Sequence, residues 1–209
     1  MTGLRDRKKR QARHRIIRAA TGLFAEKGMA DTTMEEIAAS SDVSVGTVYN
    51  YFGTKNALLL AGVEEETEKM VAAGMATLAD PGDDPLIAVK RLIHVYLDDF
   101  SAWDPRLLRE VMSAAFSQVG GEELTSELAQ LDRRLLEQMT VLLSRFHEEG
   151  RLADGVAVQE ATLLVFSTFF LQLFMFMSLE GFEISDLYEQ VDRQLELAFS
   201  GIKRESEPT

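Results

Sequence analysis

Apolar positions recur with helical spacing along the whole 209-residue chain, and no run alternates with period two for long enough to predict a strand. Ile16, Ala20, Leu23 and Phe24 fall on one face at i, i+4, i+7 and i+8, and Gly28 stops that first helix. Thr33-Met34-Glu35-Glu36 has the form of a capping box, in which the Thr33 hydroxyl accepts from the amide three residues on while Glu36 reaches back. It opens a short helix carrying Ile37 and Ala38. Ser41-Asp42-Val43 reads as a turn, Ser44 as the N-cap of a third short helix ending near Tyr51, and Thr54 as the cap of a long helix through Leu58, Leu59 and Val63 towards Leu78. The run from Asp80 to Pro85 is a loop whose end starts the next helix, because Asp84 can cap and Pro85 suits the first helical position. Asp104-Pro105 repeats that device. Further helices are predicted over 85–103, 105–119, 122–149, 156–179 and 185–199, giving an all-α fold of about nine helices with a polar tail over 203–209.

The segment 33–51 therefore holds two short helices joined by a three-residue turn, the dimensions of a helix-turn-helix. With Val48 at the centre of the buried side, Ser44 and Phe52 lie within about one-ninth of a turn of it, while Gly46 and Asn50 lie opposite, flanked by Thr47 and Tyr49. Such a face is small and hydrogen-bonding, so it can enter a major groove and meet base edges; Tyr51 can present its hydroxyl to a backbone phosphate. By periodicity alone an ordinary short surface helix would look the same.

Charge changes that picture. The chain as a whole carries a formal net charge of -12, which taken alone argues against a nucleic-acid partner. Between Met1 and Arg18, however, eight basic residues stand against one acid, a local charge of +7. The field that meets phosphate is local, being screened over about 8 Å at physiological salt, so a basic front on an acidic body is compatible with DNA. The bland alternative is a merely solvated basic terminus. Within that front, Arg7, Lys8, Lys9 and Arg10 form the densest run.

The string from Thr33 to Leu59 closely resembles the N-terminal signature of TetR-family regulators, and Ala20 to Gly28 resembles the end of that family's first helix. The pattern of Phe24, Gly28, Thr33, Ile37-Ala38, Val43-Ser44, Gly46-Thr47, Tyr49, Phe52 and Lys55 carries the likeness over about a quarter of the chain. The resemblance implies that Thr33, Tyr51 and Lys55 hold the phosphate backbone and that Ser44, Val45, Gly46, Thr47, Tyr49 and Asn50 form the reading surface. It further implies a helix-turn-helix DNA-binding domain over 1–53 and a ligand-sensing and dimerisation domain over 54–202. One departure is Ser41-Asp42, where Ala-Gly is common: Asp tolerates a left-handed turn residue but adds a negative charge near DNA.

Beyond residue 56 the likeness is architectural only. Tyr96, Phe100, Trp103, Met112, Phe116, Met139, Phe166 and Phe170 are adaptable or aromatic side chains that could line a roomy apolar pocket, or could be plain core. Phe174 on the eighth helix and Leu187, Val191 and Leu195 on the ninth leave surplus apolar surface for an isologous homodimer, whose two-fold symmetry suits a palindromic double-stranded operator. The expected regulator is a repressor released by an apolar or amphipathic small molecule; the alternative is a TetR-like DNA-binding protein controlled by a protein partner or without a small ligand. Coupling between the halves would run through the long fourth helix.

Other classes fit less well. With no Cys there is neither a disulfide framework nor a thiolate metal site. His14, His94 and His147 lie on three different predicted helices with no metal-ligand spacing, and no P-loop appears, so no enzyme, metal or cofactor is expected. Ala161 to Leu179 is apolar enough to suggest a membrane span, but Ser167, Thr168, Gln172 and Ser178 interrupt it. A helix covered by its own core and by a partner explains it without a bilayer. The N-terminus lacks a continuous apolar signal region, and a cytoplasmic location is expected.

Overall fold

The structure is a computed structural model that describes residues 2–101, 108, 111, 121–179 and 181–202. Among the described residues there are eight helices: α1 (Thr2–Asp31), α2 (Met34–Ser41), α3 (Val45–Phe52), α4 (Lys55–Ala79), α5 (Pro85–Ser101), α6 (Gly121–Glu148), α7 (Val158–Ser178) and α8 (Ile184–Ile202). The helix predicted over 105–119 lies outside the described residues, apart from Leu108 and Val111. The tail over 203–209 lies outside them too.

The starts of α2, α3, α4 and α5 follow from their caps. Thr33 and Glu36 form both halves of the capping box, Thr47 N–H donates to Ser44 Oγ at 3.2 Å, and Ala57 N–H donates to Thr54 Oγ1 at 3.1 Å. Asp84 Oδ1 accepts from the amides of Leu86 and Ile87. Each bond relieves an amide that the first helical turn leaves without a partner. The N-terminal basic run does not stand apart from the first helix but extends it back to Thr2, as expected of a segment rich in Arg and Lys, both good helix formers. At the other end α1 kinks at Gly28, whose φ of 85° would strain any residue with a Cβ.

Packing divides the chain into two compact units, Met1–Thr67 with Trp103–Leu128, and Glu68–Ala102 with Ala129–Thr209. The division falls within α4, later than the end of the helix-turn-helix, because the first turns of α4 bury Leu58, Leu59 and Val63 against the smaller helices. That first core also holds Ile16, Ala20 and Phe24 of α1, Met34, Ile37 and Ala38 of α2, and Val48 of α3. In the second unit α8 packs between α5 and α7. Leu187, Val191, Leu195 and Phe199 of α8 are buried there, as are Leu92, Ile93 and Leu97 of α5. Lys90 of α5 reaches Glu196 at 2.7 Å and His94 lies 2.9 Å from Asp192, so the α5–α8 seam is closed at its rim by an ion pair and a hydrogen bond.

Among the described residues one helix, α7, is long and apolar enough to cross a membrane, with 44% of the relevant window buried within the chain. One face, with Val165, Phe169 and Phe176, is buried. The other exposes Leu163, Leu164, Phe170, Leu171 and Phe174.

Candidate nucleic-acid interface

The turn between α2 and α3 is built by Asp42, the one non-glycine residue with positive φ among those described (φ 54°, ψ 51°). Its amide donates to the Ala39 carbonyl, and the Val43 amide donates to that of Ala38, so the end of α2 is satisfied as the chain reverses. Beneath the turn Ser41 is buried and donates to the Ile37 carbonyl at 2.6 Å. The left-handed tolerance of Asp is therefore used where the sequence departs from the pattern it resembles.

On α3, Val48 is fully buried while Ser44, Gly46, Tyr49 and Asn50 are exposed. Val45, Thr47, Tyr51 and Phe52 are half-buried, and the hydroxyls of Thr47 and Ser44 lie 2.8 Å apart. A Cβ on Gly46 would meet nothing within 4 Å. The outward face is thus open and polar, with Tyr49 half exposed at 51%.

The basic segment is attached to the half-buried side of α3. Tyr51 donates its hydroxyl to the Lys9 carbonyl at 3.3 Å, and the Arg13 guanidinium lies 5.6 Å from the centre of the Phe52 ring. Arg13 also pairs with Glu65 at 3.1 Å, and His14 meets the other oxygen of Glu65 at 2.9 Å, which ties α1 to α4 within the same unit. Arg7, Lys8, Lys9 and Arg10 remain exposed. At the α1–α2 corner Lys27 pairs with Glu36; that bond and the Thr33 amide hold the Glu36 carboxyl down to about 2. Thr33 itself is exposed but occupied as the cap of α2. Lys55 is half-buried, and its ammonium donates to the carbonyls of Met29, Ala30 and Thr32.

Residues 16–61 match the family described as bacterial regulatory proteins, tetR family. Over 143 residues the chain is 30% identical to the HTH-type transcriptional regulator BetI of Stenotrophomonas maltophilia (strain R551-3), covering 68% of this chain and 72% of BetI. The chain belongs to the TetR family of transcriptional regulators. It is also 29% identical over 170 residues to the HTH-type transcriptional regulator TcmR of Streptomyces glaucescens, spanning 76% of this chain and 64% of TcmR. The solved structure of SmeT, the repressor of the Stenotrophomonas maltophilia multidrug efflux pump SmeDEF, matches with a TM-score of 0.68 at 25% identity, covering 94% of this chain and 93% of SmeT. SmeT has also been solved in complex with triclosan.

In this TetR-family regulator the helix-turn-helix is the DNA-binding domain, and the residues named for the other half separate into two sets. Tyr96 and Met139 are fully buried. Phe166 is half-buried and stacks at 5.8 Å on Phe170, which is 44% exposed and so lies on the surface rather than in a closed cavity. The side chain of Phe100 and residues Trp103, Met112 and Phe116 lie outside the described residues. Leu187, Val191 and Leu195 do not offer a free face, since each is fully buried within its own unit, whereas Phe174 is half exposed. An apolar stripe shows that a face is covered, not whether the covering helix comes from the same chain.

One polar centre escaped the sequence reading. Gln138 interrupts the buried α6 stripe of Leu131, Leu135 and Leu142, and its Oε1 accepts from the Tyr96 hydroxyl at 3.0 Å while Nε2 donates to the Val71 carbonyl at 3.0 Å. The signal was present: an amide in a core stripe needs partners. Burial raises the Tyr96 hydroxyl far above the ordinary tyrosine range, the nearby Arg134 charge only partly opposing it.

Proposed function

We propose that this chain is a repressor whose homodimer binds a palindromic double-stranded operator through the outward face of α3 and is released by an apolar or amphipathic small molecule. The observation that carries the DNA part is the exposed, hydrogen-bonding face of Gly46, Tyr49 and Asn50 above a fully buried Val48. Ser44, Val45 and Thr47 complete the reading surface. The run Arg7, Lys8, Lys9 and Arg10 supplies phosphate contacts and counter-charge, and the hydroxyls of Thr33 and Tyr51 reach phosphate by exchanging Glu36 and the Lys9 carbonyl for it. Two such helices in a dimer need to stand about 34 Å apart to enter successive major grooves.

The exposed apolar face of α7, with Leu164, Leu171 and Phe174, together with Leu197 of α8, supports dimerisation there. Coverage by a second copy accounts for the apolarity of α7 without a membrane, and a cytoplasmic location accords with it. The effector reading is supported by the aromatic and methionine side chains Tyr96, Met139 and Phe166 of the second unit, and by the complex of SmeT with triclosan. No catalytic role is proposed.

The test is selection of bound duplexes from random DNA, followed by titration of Asn50→Ala on the selected operator. Discrimination between operator and random duplex should fall by about 1–3 kcal/mol while helicity is kept. Unchanged discrimination would remove α3 as the reading helix. Titrating triclosan and other apolar compounds against free and operator-bound protein then tests release; equal affinity for both would exclude it.

A further inference from the structure

Helix α1 ends without a cation of its own: no basic residue lies in its last turn, and the kink at Gly28 turns its final carbonyls away from the ordinary helical ladder. Those carbonyls form the corner from which α2, and through it α3, departs. Lys55, the first residue of α4, fills the gap. Its Nζ donates to the carbonyls of Met29 at 2.6 Å, Ala30 at 3.2 Å and Thr32 at 3.0 Å. An ammonium has three protons and no more, so three acceptors exhaust it. A positive charge against the unpaired carbonyls of a helix C-terminus is also where helix electrostatics favours it. Around the same corner Thr32 donates from its buried hydroxyl to the Gly28 carbonyl at 2.8 Å, and Lys27 pairs with Glu36. About three turns further on, α4 is held to α1 a second time through Arg13 and His14 on Glu65.

We infer that Lys55 is a positioning residue and not a phosphate ligand: its saturated ammonium locks the α1–α2 corner to the start of α4, and this fixes the angle at which α3 is presented. Within the first unit the opening turns of α4 and the two short helices are thereby tied to one corner. The inference deepens the DNA-reading proposal and rests on it only for the binding measurements.

Arginine separates the two roles. A phosphate contact accepts Arg at least as well as Lys, whereas a cradle of three convergent carbonyls fits a compact ammonium and not a planar fork. Lys55→Arg and Lys55→Met should therefore behave alike in the full-length protein, each losing about 5 °C in melting temperature and about tenfold in operator affinity. The slope of log affinity against log salt, on the operator and on a mixed-sequence duplex, should stay at the wild-type value. Wild-type operator affinity and melting temperature in Lys55→Arg, with a slope shallower by about 0.9 per contact in Lys55→Met, would overturn the inference. Should either variant fail to fold, the wild type still decides. Its Lys55 ammonium nitrogen resonance should exchange slowly with water in the free protein and stay in place when duplex is added. Fast exchange in the free protein, with a shift on DNA, would equally overturn it. If the wild type binds no duplex at all, the DNA-reading proposal fails, while the melting and exchange measurements still judge Lys55.

Discussion

Gly74→Ala is a change that helix propensity alone would favour, by about 1 kcal/mol in a helix interior. In α4 it should instead destabilise. A Cβ at position 74 would sit 2.0 Å from Gln138 Oε1, so the amide must move. The end of a glutamine is flexible, but this one is fastened at both ends, to the Tyr96 hydroxyl and to the Val71 carbonyl, each at 3.0 Å. Moving it forfeits two hydrogen bonds worth about 1 kcal/mol each and leaves a fully buried tyrosine hydroxyl unpaired for about 1 kcal/mol more. Set against the propensity gain, the net loss is about 2 kcal/mol, or roughly 4–8 °C in melting temperature for a chain of this size. In a Gln138→Ala background there is no amide to displace, and the same Gly74→Ala change should stabilise by about 1 kcal/mol. The assay is a double-mutant cycle by thermal and urea denaturation followed by circular dichroism. An effect of Gly74→Ala with the same sign and size in both backgrounds, within about 0.5 kcal/mol, would refute the reasoning.

Asp132→Asn tests a half-buried carboxyl. Burial pushes the Asp132 carboxyl up to about 6, above the value near 3.9 of an unfolded chain, so the folded state binds the proton more tightly and loses stability as pH rises from about 4 to about 6. The variant should melt higher than wild type at pH 7.5, by up to about 2 kcal/mol, and show little gain at pH 4. A gain equal at both values would exclude the titration. On α7, Phe174→Asp should give a folded monomer by sedimentation, whereas Val191→Asp, placing an unpaired charge in the core of its own unit, should lose helicity outright; a dimeric Phe174→Asp would move the interface elsewhere. Replacing Arg7, Lys8, Lys9 and Arg10 with Gln should weaken binding to every duplex alike and flatten the salt slope by up to about 0.9 for each lost contact. An unchanged slope would leave the basic run merely solvated.

The sequence by itself determined the features whose bonds close within a turn of helix. The capping box of Thr33 and Glu36, the caps at Ser44, Thr54 and Asp84, the left-handed Asp42 and the outward face of α3 all depend on partners about three or four residues away, so residue type and spacing suffice to read them. Tertiary structure alone decided what each apolar or charged group meets across the fold. Leu187, Val191 and Leu195 have the periodicity of a covered face, and only packing shows that their own unit covers them. Phe170 reads as pocket or core and lies on the surface. Lys55 is visibly a cation at a helix start, but its three carbonyls lie 23 to 26 residues earlier in the chain, and a kink at Gly28 had to bring them within reach. Helical periodicity records that a face is buried; the identity of the group that buries it is a property of chain closure, which local spacing does not encode.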